Sequence, residues 1–147
     1  MKRTIRRRGQ GIVEMALVLP IFLVTILGIM DFGRAFHCWT NINHQCIEAV
    51  RVACKRKYLS LATNLYTSTT HADTQIVLTE FWKSRSPLTP IEKMTGPTLE
   101  GVGTSAEKVK ISVTFLFEPW TPGIGLLLGT RAGTGLALTA SAEQYKE

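Results

Sequence analysis

Glu14 stands near the front of an otherwise apolar run, in the stretch RRRGQGIVEMALVLP. An ionised carboxylate well inside a bilayer costs about 2.5 to 3.5 kcal/mol on insertion scales, so this side chain needs either the headgroup surface or a cationic partner. A glutamate in the first turn of a helix is also favoured by the macrodipole, and close to the interface it can snorkel outwards. The other reactive side chains lie downstream. Cys38, Cys46 and Cys54 are spaced eight apart, about 12 Å between neighbours on a straight helix and too far to bridge within the chain. They are either buried thiols or partners for an intermolecular disulfide. His37 and His44 are seven apart, about 10 Å along a helix, too far to share one metal ion with Cys38 or Cys46. They read as exposed or interface histidines. GVGTSA, Gly101 to Ala106, fits a G-x-G-x-x-A dinucleotide fingerprint on paper, but a strand pattern follows where that fingerprint needs a helix. With no Walker A, nucleophile elbow or H-E-x-x-H in the sequence, no catalytic constellation and no cofactor or metal site can be named.

The elements that must carry these residues follow from charge and periodicity. The chain has 147 residues, enough for one small domain plus an anchor, and a net charge of +6. Lys2, Arg3, Arg6, Arg7 and Arg8 supply five of its 17 basic residues, which leaves 12 against 11 acidic ones from residue 10 onwards. The basicity therefore belongs to a leader over 1–9. That is the pattern of an N-terminus held in the cytoplasm by the positive-inside rule, whereas nucleic-acid binding wants a basic stripe on a folded surface. Ile12 to Met30 is a 19-residue apolar run, about 28 Å as a helix and close to the hydrocarbon thickness of a bilayer. A transmembrane segment is assigned to 10–30, loosened at Pro20. A cleaved signal peptide fits less well. The run is long, and its one small-x-small site, Gly33 to Ala35, holds an arginine.

Beyond the run, Phe32, Ala35, Phe36, Trp39, Ile42, Cys46, Ala49, Val50, Ala53 and Cys54 recur every three or four positions. Asn41, His44, Gln45, Glu48 and Arg51 fall between them, which predicts an amphipathic helix over 31–58. An extracytoplasmic α+β domain is expected over 59–147. It begins with a loop over Leu59 to His71, then a short helix capped by Asp73 and carrying Val77, Leu78, Phe81 and Trp82, then a connection over Ser84 to Pro90. Val109, Ile111, Val113, Phe115 and Phe117 alternate with polar residues as a half-buried strand does, and Thr134 to Tyr145 alternates again. The two runs should pair as antiparallel neighbours covering the helix stripe. Between them, Pro119 to Gly133 is a glycine-rich loop with apolar Ile124 to Leu128. It either folds back over the core or touches the membrane or a partner.

The spacing of Gly9, Gln10 and Glu14 resembles the site that type IV prepilin peptidases cut in pilins and pseudopilins: a short basic leader, a cut after glycine, and a glutamate at mature position five. Such a cut makes a new α-amine with a reference pKa of about 7.7 to 8, a cation able to neutralise Glu14 of a neighbouring subunit. The longer stretch GQGIVEMALVLPIFLVTILGIMDFGRAF, Gly9 to Phe36, is similar to the N-terminal signature of the TadE-like proteins of the tight-adherence pilus assembly system. The matching pieces are the glycine and glutamate pair, ALVLP at Ala16 to Pro20, and DFGRA at Asp31 to Ala35, where Asp31 and Arg34 would mark the far membrane boundary. The resemblance covers about the first third of the chain, through roughly Arg51. It implies a non-enzymatic pseudopilin without cofactor, single-pass in a bacterial inner membrane, with the N-terminus cytoplasmic and the C-terminal domain periplasmic or extracellular. Its partners would be the prepilin peptidase, other pseudopilins and pilus assembly proteins, with no nucleic acid and no small-molecule substrate. The competing reading is an unprocessed single-pass anchor for a periplasmic binding or sensory domain. A structural pilin is a third, less favoured because subunits of these filaments are far shorter than this chain.

Overall fold

The computed structural model describes residues 10–56, 72–100, 108–121 and 135–145. Helix α1 runs unbroken from Gln10 to Cys54, through Pro20. At 45 residues it is about 67 Å long, twice the thickness of a hydrocarbon core. Its first half is apolar enough to cross a membrane, and the most apolar window has none of its residues buried inside the protein. A core helix of a soluble protein would be covered, so this half of α1 reads as a single-pass membrane anchor. Cleavage as a signal peptide near Gly33 would cut inside the helix that builds the domain.

The second half of α1 forms the spine of a small α+β domain. Helix α2, Ala72–Lys83, packs against α1, and strands β1 (Met94–Glu100), β2 (Lys108–Phe117) and β3 (Leu136–Tyr145) form an antiparallel sheet in that order. The expected β2–β3 pairing is present over ten residues, from Lys108 opposite Tyr145 to Phe117 opposite Leu136. One face of β2, Val109, Ile111, Val113, Phe115 and Phe117, is buried, together with Ile42, Cys46, Ala49, Val50 and Ala53 of α1 and Val77 and Phe81 of α2. These residues make one continuous core.

Four details differ from the sequence pattern. The buried stripe of α1 is rotated away from Phe32 and Phe36, which are exposed, and takes in Cys38 and Gln45 instead. Among the described residues the sheet covers α1 from the level of Asp31 upwards, on the side away from Phe32 and Phe36. Helix α2 starts at Ala72, which puts Asp73 in its first turn rather than at its cap; Asp73 lies 3.8 Å from Arg56 instead. Strand β1 was not foreseen, because MTGPTLE carries a glycine and a proline in its middle. It survives as an edge strand by shifting register between Thr95 and Thr98, with Gly96 at φ 102°, a conformation that favours glycine. Finally, α1 ends at Cys54, and Lys55 and Arg56 close it with amides on the carbonyls of Val52 and Ala53. The loop expected over Leu59 to His71 lies outside the described residues.

Phe81 is fully buried in the core, on the helix that packs against α1. Phe81→Ala is expected to destabilise the domain by about 3 to 5 kcal/mol, read as a lowered midpoint in denaturant unfolding of the full chain.

Candidate functional site

Glu14 lies one turn inside α1 with an exposed side chain, four residues after Gln10, the first described residue. Among the described residues no cation pairs with it. Gly9 and the leader charges Lys2, Arg3, Arg6, Arg7 and Arg8 lie outside the described residues. The N-terminal site is therefore present as a geometry of the helix: an exposed carboxylate on an exposed apolar cylinder, open to another helix.

Asp31 and Arg34 are brought together, in a different way from a membrane-boundary charge pair facing solvent. Asp31 is only 4% exposed. Its Oδ1 accepts the amide of Trp120 at 3.1 Å, and its Oδ2 accepts the amide of Thr121 at 2.8 Å. Arg34, one turn on, donates from Nη1 to Oδ1 at 3.2 Å. The guanidinium carbon sits 3.8 Å from the centre of the Trp120 ring and 5.4 Å from that of Phe117. A helix carboxylate thus clamps the chain just after β2. Burial alone would raise the Asp31 pKa. Hydrogen bonding from Thr121 and from the Trp120 amide, with the positive charge of Arg34, outweighs it and holds the carboxyl below its ordinary value of 3.8.

A second polar hub sits higher on α1. Asn41 Nδ2 donates to the Ser84 carbonyl at 3.4 Å, while its Oδ1 accepts from Gln45 Nε2 at 3.0 Å and from the Ser86 amide at 3.3 Å. This ties the connection after α2 to the spine. Neither hub was visible in the sequence. Trp120, Thr121, Ser84 and Ser86 lie in irregular segments, where no period says which backbone amide will face a side chain fifty or ninety residues away.

All three cysteines are buried on the stripe, in line with the first of the two alternatives for them. Cys38 Sγ lies 3.6 Å from the Leu88 carbonyl, Cys46 Sγ 3.9 Å from that of Ala140, and Cys54 Sγ 3.6 Å from that of Gln144. Burial pushes the Cys46 thiol up to about 12, which leaves almost no thiolate near neutral pH. His37 and His44 are exposed, as their spacing suggested.

The spanning helix, the exposed Glu14 and the clamp all lie on one segment of the chain. Residues 9–53 match the family model of TadE-like proteins. The TadE-like segment coincides with α1 almost residue for residue, starting at Gly9 and stopping one short of Cys54. It includes Glu14, Asp31 and Arg34, while α2 and the sheet lie beyond it. No curated protein and no solved structure matches the chain.

Three outcomes are expected. Asp31→Ala leaves two amides without their acceptor and should cost about 1 to 3 kcal/mol. A carboxyl with a lowered native pKa stabilises the fold above its ordinary value and loses that contribution as pH falls through the native value. Acid titration of unfolding from about pH 4 down to about pH 2 should therefore show a loss of stability that is smaller in Asp31→Asn. Cys46 should resist iodoacetamide in the folded chain at about pH 8 and react once the chain is unfolded, as peptide mass mapping would show.

Proposed function

We propose that the chain is a minor pilin, or pseudopilin, associated with a tight-adherence pilus, and that it acts as an assembly component and not as an enzyme. The observation that carries this is the family match over 9–53, which begins at the glycine of the expected cut and contains the exposed Glu14 on an apolar helix. In this reading the prepilin peptidase removes residues 1–9, and the new α-amine of Gln10 pairs with Glu14 of an adjacent subunit inside the membrane. The basic leader keeps the N-terminus cytoplasmic, so the sheet domain stands on the opposite side of the inner membrane. The apolar half of α1 packs against other pseudopilins, and the domain docks further pilus assembly proteins. Two features support a structural role. Among the described residues α1 offers an uncovered apolar face along its first half, and the matched segment carries Glu14 on that face and Asp31 and Arg34 in the clamp.

The test is the mass and N-terminal sequence of the chain extracted from membranes made with and without a prepilin peptidase. The expected product starts at Gln10 only when the peptidase is present; mass still reads it if the glutamine cyclises. A chain that retains Met1 in both samples contradicts the pseudopilin reading and leaves an anchored binding or sensory domain.

A further inference from the structure

The direction of each strand relative to the membrane can be read from contacts along α1. Trp39 donates from Nε1 to the Thr139 carbonyl at 3.3 Å, Cys46 meets Ala140, and Cys54 meets Gln144. Strand β3 therefore climbs beside α1, away from the span. Strand β2 is antiparallel to it and descends, ending at Phe117. The next residues, Trp120 and Thr121, hang on Asp31, which is the first residue after the apolar run. With a rise of about 1.5 Å per residue, the clamp lies within about 2 Å of the end of that run along the helix axis.

At this level, among the described residues, two large aromatic side chains are exposed beside one guanidinium. Trp120 is 74% exposed and Phe32 is 73% exposed, and the guanidinium of Arg34 lies over the indole of Trp120. Arg34 uses Nη1 for Asp31, and a guanidinium has further N–H donors directed elsewhere. A tryptophan held rigidly by its own backbone amide, paired with a cation and placed where the hydrocarbon ends, has the chemistry of a residue of the membrane–water interface. A ring seated there removes apolar surface from water while leaving its N–H among the headgroups.

We infer that Trp120 and Phe32, with Arg34, form a foot that rests in the headgroup layer of the same bilayer that α1 crosses. The sheet domain then stands directly on the lipid surface, its height set by the Asp31 clamp, and the guanidinium meets lipid phosphate. The occupant of this surface is lipid because of its level: continuity with the span is immediate at Asp31, and the layer of headgroups is only about 5 to 8 Å thick. Trp39, about 13 Å further along α1 than Met30, clears it. This inference rests on the membrane-anchor reading of α1 and is independent of whether the leader is removed.

The full chain is placed in vesicles of phosphatidylcholine and phosphatidylglycerol whose acyl chains carry bromine near the headgroup. In a Trp39→Phe, Trp82→Phe background, Trp120 should lose at least half its fluorescence relative to unbrominated vesicles, and adding Asp31→Ala should remove most of that quenching. A chain carrying Trp39→Phe, Trp82→Phe, Trp120→Phe and Phe22→Trp reports on the span itself, in vesicles brominated near the acyl-chain ends because position 22 lies about 12 Å below Met30. If position 22 is quenched and Trp120 is not, the anchor stands and the foot is wrong, with Trp120 left for water or a protein partner. If neither is quenched, the anchor reading fails and the foot fails with it. The unsubstituted chain gives a second reading by hydroxyl-radical footprinting in the same vesicles. Exposure to water alone would oxidise Trp120 faster than the less exposed Trp39, and the foot requires the reverse order by at least threefold.

Discussion

Asp31 has left water at the point where the apolar half of α1 becomes the spine of a domain, and its charge persists only because two amides and a guanidinium surround it. A buried carboxylate without such partners would take up a proton or open the structure. The arrangement couples two things that sequence distance separates. The end of β2 is fixed to the helix at one height, and every strand that pairs with β2 inherits that height. A single acceptor thereby sets where the sheet begins relative to the span.

The rest of the domain follows from that constraint. Strand β2, alternating with five buried apolar residues, needs a partner surface, and the stripe of α1 from Cys38 to Cys54 provides it. β3 pairs with β2 and packs along α1, so that its carbonyls at Ala140 and Gln144 lie against the thiols of Cys46 and Cys54, while Cys38 meets the carbonyl of Leu88. At the start of β3, Gly135 has no room for a side chain, since a Cβ there would lie 2.6 Å from the Phe117 carbonyl oxygen. That close approach lets β3 begin immediately beside the end of β2, next to the clamp. The apolar stretch Ile124 to Leu128 belongs to the connection between these two strand ends and lies outside the described residues, so the choice between core cover and surface contact that its sequence posed is not decided by the fold.

Elements with a strong period were legible from residues alone. The apolar half of α1 announces itself by a long apolar run, and the helix after it, the β2–β3 pair and α2 by apolar repeats of 3.6 or 2. The edge strand β1 did not, because its pairing is sustained by a register shift around Gly96 and Pro97 and not by alternation. The buried stripe of α1 departs from the apolar repeat for a related reason. Phe32 and Phe36 are as hydrophobic as any core residue, and only tertiary packing shows that the sheet lies on the other side. The N-terminal motif is linear, a glycine, a glutamate and a leader in fixed order, so it is read without any tertiary contact. Asp31 was noticed as a charge at a boundary, but its role as an acceptor depends on amides 89 and 90 residues away, and no local pattern encodes such a contact.

The central claim is that one continuous helix crosses the bilayer and then carries the domain, with the change of environment at Met30 and Asp31. Nitroxide labels placed singly from position 18 to position 46 of the full chain in lipid nanodiscs, with the other cysteines changed to alanine, would test it through accessibility to oxygen and to a water-soluble nickel complex. Oxygen-dominated, non-periodic accessibility is expected up to Met30. Beyond Asp31 a helical period is expected, with the nickel complex reaching labels at positions 37 and 40 and excluded at positions 42 and 46. Water-soluble access within 18–30, or loss of the helical period across 30–34, would contradict it.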